Sequence, residues 1–219
     1  MWKMKFDSNI SKFDKFIILC RTGIKACRGM IKKLFLKESK GILLVGKKVS
    51  IHHGKHIKCG KWVKFEDYSE IQGLCSEGLN FGNYVTIGRG AMIRPSSYYG
   101  GDLGAGLTMG DNSSIGPHAY IGCAGKITIG SNVMIGPRCS LFAENHVFNN
   151  VEIDIKKQGV VQKGIIIEDN CWIASNVIIL DGVKIGAGSV IGAGTVVTKD
   201  VMPNSIVIDK RNKVVNYRE

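Results

Sequence analysis

Proline is scarce in this chain, four residues in 219, and none of its seven cysteines falls in a CxxC pair. Scarce proline excludes a collagen-like or Pro-rich low-complexity chain. Cys20, Cys27, Cys59, Cys75, Cys123, Cys139 and Cys171 are odd in number and scattered. That is how a reduced protein uses cysteine as a small buried residue, not as a disulfide frame. Long apolar runs are also missing. The longest near the N-terminus, Phe16 to Cys20, stops at Arg21 and is too short for a signal-peptide core or a membrane span. A cytoplasmic location is therefore expected. Acidic residues are in deficit, 18 Asp+Glu against 30 Lys+Arg, and the net charge of +12 points to an anionic partner: nucleic acid, membrane surface or phosphorylated ligand. What is present in excess is glycine, 28 residues, about twice ordinary usage. Hydrophobic residues at 44% and charged residues at 22% exclude global disorder. The fold must be globular and rich in tight corners.

The charge is unevenly placed. Residues 1–40 carry eleven Lys/Arg and three acids (Asp7, Asp14, Glu38), while residues 41–219 carry nineteen against fifteen. In the first segment Phe13, Phe16, Ile17, Cys20, Ile24, Cys27, Ile31 and Leu34 follow helical spacing, with Lys12, Lys15, Lys25, Arg28 and Lys32 on the other sides. Gly23 and Gly29 each weaken such a helix by roughly 1 kcal/mol relative to Ala. Two readings stand: a cap helix packing its apolar stripe on the main domain, or a basic amphipathic helix resting on an anionic bilayer. Nucleic acid is disfavoured, because no aromatic-interleaved basic module follows.

From residue 45 the sequence repeats every six residues. Lead positions run Val45, Ile51, Ile57, Val63, Ser69, Cys75, Phe81, Ile87 and Ile93, then Met109, Ile115 and Ile121 after an insertion at about 95–108. A two-residue slip gives Ile129, Ile135 and Leu141; after a long loop come Ile167, Ile173, Ile179, Ile185, Ile191 and Val197. Only Ser69 and Cys75 are not large and apolar, and glycine often follows the lead, as in Ile115-Gly116 and Ile191-Gly192. A period of six fits neither a helix nor a long strand. It fits a short strand and a corner, with the lead residue inward and glycine relieving crowding or taking unusual dihedrals. Three hexads close one triangular coil, so these leads predict about seven coils, roughly 34 Å of stacked strands. The expected divisions are a basic helical segment at 1–40, a β-helix at 41–203 and a tail at 204–219.

This pattern resembles the hexapeptide-repeat acyltransferases, over residues 45–213 or so. The stretch from Ile165 to Asp200, including Asn170-Cys-Trp-Ile-Ala-Ser-Asn176, is similar to the subfamily of galactoside and maltose acetyltransferases and polysaccharide O-acetyltransferases. The segments Ile93 to Asp102, Glu144 to Phe148 and Gln158-Gly159 look most like the polysaccharide branch. The resemblance implies a mainly β fold, a left-handed parallel β-helix, assembled as a homotrimer, with acetyl-coenzyme A as cosubstrate and no metal. General crossover rules alone would favour the opposite hand.

Acyl transfer to a sugar hydroxyl needs a base, oxyanion donors and a grip on coenzyme phosphates. His146 ends the hexad at Leu141, at the mouth of the long loop, and an imidazole suits the base role at neutral pH. The resemblance places the catalytic histidine there. Glu144 or a backbone carbonyl could orient the ring. Asn145 could bond the acceptor or the backbone. The resemblance places Trp172 beside the coenzyme channel, with Ala174, Ser175, Ala193, Thr198 and Lys199 at contacting positions and the Ser175 amide as oxyanion donor. Lys199 also suits phosphate as a point charge. Where the family usually ends in Gly-x-Pro-Ala-Lys, this chain has Asp209-Lys-Arg-Asn-Lys213, so only Lys213 is kept. His118 lies near the place of an acceptor-binding Asn. The insertions carry Tyr98, Tyr99, Asp102 and Gln158, and loops projecting from a rigid scaffold are suited to acceptor recognition, here of a site shared between subunits. His52, His53, His56 and Cys59 match no standard zinc spacing.

The expected activity is acetyl transfer to a sugar hydroxyl of a surface polysaccharide or its lipid-linked precursor. The alternatives are an acetyltransferase for a small acceptor (free sugar, amino sugar or antibiotic) and a β-helix scaffold without catalysis. Peripheral membrane contact through residues 1–40 would place the protein at the inner face of the membrane.

Overall fold

The computed structural model describes residues 6–96 and 101–210. One helix, α1 (Lys12–Lys33), precedes a parallel β-helix of strands two or three residues long. Three faces wind in sequence. Face A runs from Glu38–Ser39 through Ile57–Cys59, Leu79–Phe81, Leu107–Met109, Ile127–Ile129 and Ile165–Ile167 to Lys184–Ile185. Face B runs from Leu43–Val45 to Ile206–Val207 and face C from Ser50–His52 to Val196–Val197. The fold is a left-handed parallel β-helix, its coils expected from the repeat and its hand from the resemblance. It begins before residue 41, at Glu38–Ser39, and adds a strand beyond residue 203, at Ile206–Val207. Faces A and C each hold seven strands, so seven coils are complete, and face B carries an eighth.

Each strand pairs in register with the next coil, for example Leu107 with Ile127 and Ile127 with Ile165. Every inward residue therefore stacks on an inward residue, and the core is an aliphatic column running the length of the molecule. The observed register differs from the predicted one in coil two. Cys59, Phe65 and Ile71 stack in the columns of Phe81, Ile87 and Ile93, where Ile57, Val63 and Ser69 were expected to lead. Both Ile57 and Cys59, and both Val63 and Phe65, are buried. The strands Ile57–Cys59 and Val63–Phe65 turn their first and third side chains inward, so hydrophobicity alone does not say which is the lead. Cys75 lies outside the strands.

Crowding, not dihedral freedom, explains the glycine after the lead. A Cβ on Gly116 would lie 2.5 Å from the Gly136 carbonyl carbon, and one on Gly136 2.8 Å from that of Ala174. The left-handed conformation is taken later in the corner, at Asn112, Asn132, Asn170, Asn176 and Asn204, with φ of 57–58°.

Side-chain acceptors on one coil bond the backbone of the previous coil and form a ladder along the A-to-B corner. The Lys61 amide donates to Asn83 Oδ1 (2.9 Å), that of Asn83 to Asp111 Oδ1 (2.8 Å), that of Asp111 to Ser131 Oγ (3.1 Å) and that of Ser131 to Asp169 Oδ1 (2.7 Å). Five of the cysteines are buried and all seven are free; Cys20 and Cys27 are exposed on α1. Burial pushes the Cys59 thiol up to about 12.

Helix α1 begins at Ser11, whose Oγ accepts from the Asp14 amide (3.0 Å) and donates to the Asp14 carboxylate (2.6 Å). It packs on the first coil, but not through its apolar stripe. Thr22, Lys25, Ala26, Gly29, Lys32 and Lys33 form the shielded side. Gly29 is buried so closely that an added Cβ would sit 1.7 Å from the Leu43 carbonyl oxygen. Lys25 pairs with Glu66, and Lys33 Nζ donates to the Gly41 carbonyl (3.0 Å). The expected apolar stripe faces away: Phe13, Phe16, Ile24, Ile31 and Leu34 are all more than half exposed. Only small residues allow the helix backbone to approach the edge strand this closely, and that requirement decides which face packs.

Candidate active site

The regular coil is interrupted on the C-to-A corner between Met92–Arg94 and Leu107–Met109, and at greater length between Ser140–Phe142 and Ile165–Ile167. In the longer interruption the chain leaves the solenoid and forms a short antiparallel ladder in which His146 pairs with Val160 and Asn145 with Val161. The Val147 amide donates to the Gly159 carbonyl (3.0 Å). Gln158 closes the loop. Its Nε2 donates to the carbonyls of Asn150 (2.8 Å) and Ile153 (2.7 Å), and its Oε1 accepts from the Asn150 amide (3.1 Å). Asp181 fixes the return, accepting from the amides of Lys163 and Gly164.

This loop roofs a cleft of about 460 Å³ against the outer side of face C. Glu144, just before the short ladder, and His146 within it line the cleft together with Asp102 from the first insertion. Residues we had not expected complete it: Arg94, Ser96, Tyr120 and Gln162. Arg94 grips Glu70 through Nε (2.6 Å) and an Nη (3.1 Å). The Tyr120 ring lies 5.6 Å from that of Phe142, and burial raises its phenol. A glycine at 122 leaves room for that ring, because a Cβ there would come within 2.9 Å of it. Glu144 accepts from Gln162 Nε2 at 3.5 Å. The sequence signal for Arg94 and Tyr120 was available: both are polar groups at outward strand positions beside a loop.

Gln158 supports the loop and is not among the residues of the cleft. Asn145 lies exposed on the short ladder beside it. His118 sits at the opposite, B-to-C edge of face C, its ring over Gly90 and its backbone in the left-handed region (φ 58°). Tyr98, Tyr99 and Lys213 lie outside the described residues.

The expected coenzyme residues divide between two corners. Trp172 is half exposed on face B, between Met134 and Val190 of the adjacent coils. Ala174-Ser175 and Gly192-Ala193 follow at the B-to-C corner, stacked one coil apart by the bonds from Ala174 N to Ile191 O and Gly194 N to Ser175 O (both 2.9 Å). The preceding coils place Gly116-Pro117 and Gly136-Pro137 in the same slots, with Arg138 N bonded to Pro117 O and Asn176 N to Pro137 O. The second slot thus accepts proline because its amide needs no partner in the coil. Where Ser175 and Ala193 replace proline, two N–H groups return, and among the described residues neither donates to a protein acceptor. A stacked pair of outward donors is suited to an oxyanion or a carbonyl.

Thr198 and Lys199 sit instead on the C-to-A corner, two coils beyond the His146 loop, lining a cleft of about 340 Å³ with Met202 and Val207. An exposed lysine on an open cleft is suited to an anionic group. Around His52, His53 and His56, Ser50 Oγ lies 2.6 Å from His52 Nε2. No group of three or more His, Cys, Asp or Glu among the described residues is arranged to hold a metal ion.

Residues 164–199 match the family described as bacterial transferase hexapeptide (six repeats). A galactoside O-acetyltransferase of Escherichia coli (strain K12) is 36% identical over 124 residues, 56% of this chain and 59% of that protein. The chain thus spans well under two thirds of that relative. A maltose O-acetyltransferase from Clostridium difficile 630 superposes with a TM-score of 0.50 at 29% identity, over 58% of this chain and 63% of that one. A mutant N-acyltransferase from Bacillus cereus, in complex with dTDP-4-amino-4,6-dideoxyglucose and coenzyme A, shares the fold over 87% of this chain and 90% of its own, with a TM-score of 0.53 at 21% identity. The six-residue period and the stacked triangular coils agree with the match at residues 164–199, and the chain folds as a left-handed parallel β-helix that carries the bacterial transferase hexapeptide repeat in that segment.

Proposed function

We propose that the protein is an acetyl-coenzyme A-dependent O-acetyltransferase acting in the cytoplasm on a sugar hydroxyl of a surface polysaccharide or its lipid-linked precursor. The observation that carries this reading is the cleft holding His146 with Glu144, Asp102, Arg94 and Tyr120. His146 takes the proton of the acceptor hydroxyl, whose oxygen attacks the thioester carbonyl. The Ser175 amide holds the oxyanion, and the proton returns from His146 to the departing thiolate. Trp172 offers an apolar wall to the coenzyme, and Lys199 offers a charge to its phosphates. The carboxylates of Asp102 and Glu144 and the donors of Arg94 and Gln162 suit a polyhydroxylated ring.

His146 and Ser175 lie at opposite edges of face C, and from Ser175 the chain runs six residues to the C-to-A corner, up to about 20 Å of extended backbone. A homotrimer in which one subunit's B-to-C corner meets its neighbour's His146 cleft brings them to one reaction, and supports placing the site between chains. Acetyl transfer followed by coenzyme A release tests the assignment. His146→Ala should lower kcat by at least about 10³-fold with the trimer mass unchanged in light scattering; retained activity would overturn it. The small-acceptor reading draws on the galactoside and maltose enzymes to which the chain is similar. Turnover of free sugars alone, with none on polymer or lipid-linked acceptor, would favour it.

A further inference from the structure

Helix α1 presents to solvent the face that an amphipathic helix normally hides. At about 100° per residue, Phe13, Cys20, Ile24 and Ile31 lie close to 180° around the axis from Gly29, the residue seated on the solenoid. Phe16 and Leu34 flank that line on one side and Ile17 and Phe35 on the other, and the whole face is exposed. The 22 residues give an apolar strip about 33 Å long. Arg21 and Arg28 border it along one edge and Lys12 lies at the other. The first two coils continue the charge with exposed Lys37, Lys40, Lys47, Lys48, Lys55 and Lys58. No described helix is long and apolar enough to cross a membrane.

From this placement we infer that α1 docks the protein on an anionic lipid bilayer, lying in the plane of the surface with its apolar face in the acyl boundary. Two features set this occupant apart from a second copy of the chain. Residues 1–40 hold eleven basic against three acidic residues, so pairing two such helices brings like charges together, whereas anionic headgroups supply the missing counter-charge. The apolar strip with basic edges is also the geometry of interfacial helices, the rings and branched chains entering the boundary while arginines remain among headgroups. The solenoid side of α1 is already occupied by the bonds of Lys25 and Lys33, so the helix carries the whole domain with it as a rigid body.

The test uses the full chain and sedimentation with phosphatidylcholine vesicles, either pure or holding about 30% phosphatidylglycerol, at about 0.1 M salt. Binding is expected only to the anionic vesicles, and weakened as salt is raised. In the full chain, Phe16→Asp with Ile24→Asp should lower the partition constant at least tenfold. Arg21→Gln with Arg28→Gln should lower it about 30-fold, at about 1 kcal/mol for each charge near the surface. These positions are exposed, so melting temperature and solution mass should be unchanged. Absence of sedimentation by the wild-type chain, equal sedimentation of the Asp variant, or a fall in the oligomer mass of that variant would each overturn the inference, the last by showing that the face seats another copy. Acetyl transfer to a soluble acceptor is a separate readout and should not depend on these four residues.

Discussion

At Ser175 the proposed chemistry rests on a single backbone atom. Pro117 and Pro137 occupy its slot in earlier coils, so the coil neither needs nor uses an N–H there. Ser175→Pro should therefore fold normally yet lose the oxyanion donor. We expect kcat to fall about 10²–10³-fold with little change in melting temperature; unchanged turnover would remove the donor role. Arg94 is held by Glu70 in a two-pronged ion pair at the edge of the cleft. Arg94→Ala should raise the acceptor KM about tenfold while leaving that of acetyl-coenzyme A unaltered, and equal effects on both would point to a general loss of order. His146 could be singled out in the sequence because it marks the point where the period stops. Arg94 and Tyr120 carried only the general signal of polar groups at outward strand positions, and it is the stacking of coils and the folding back of the loop that bring them to His146.

At the scale of elements, the two helix glycines are alike in sequence and opposite in context. Gly23 has nothing within 4 Å of an added Cβ, whereas the same atom at Gly29 would collide with the Leu43 carbonyl. Gly23→Ala should stabilise the protein by up to about 1 kcal/mol. Gly29→Ala should destabilise it by about 1–3 kcal/mol, by prising the helix from the first coil. Urea titration of both variants checks the pair. The corner ladder is likewise an element that no single hexad reveals. Asp111 bonds both the backbone and the side chain of Asn83, and Asp111→Ala should cost about 1–2 kcal/mol in the same measurement. The helix was legible from its spacing, but its orientation was not. The spacing left the stripe free to face the main domain or a bilayer, and the close approach that small residues allow at Gly29 turned it away from the domain.

For the whole molecule, the in-register stack makes stability depend on many small contacts repeated along one axis. Several are acid-sensitive. The amide of Lys47 holds the Asp67 carboxyl below its usual range, the side chain and amide of Asn83 do the same for Asp111, and Lys184 does so for Glu168. A carboxyl whose pKa is lower folded than unfolded stabilises above its unfolded value, near 4, and loses that contribution as pH falls through the folded one. Melting temperature should thus be flat from neutral pH down to about 5 and fall below about 4. For Asp111→Asn the acid decline should be shallower; an unchanged slope would remove Asp111 from the account. The sequence by itself determined the coil, because a period of six with inward aliphatics and glycine corners has few other ways to bury its apolar residues. It also marked His146 and the basic helical segment. Only the tertiary structure decided the lead register of the second coil, the outward face of α1 and the lining of the cleft. Each of these depends on which backbone can approach which, a steric matter between residues distant in sequence that no local pattern records.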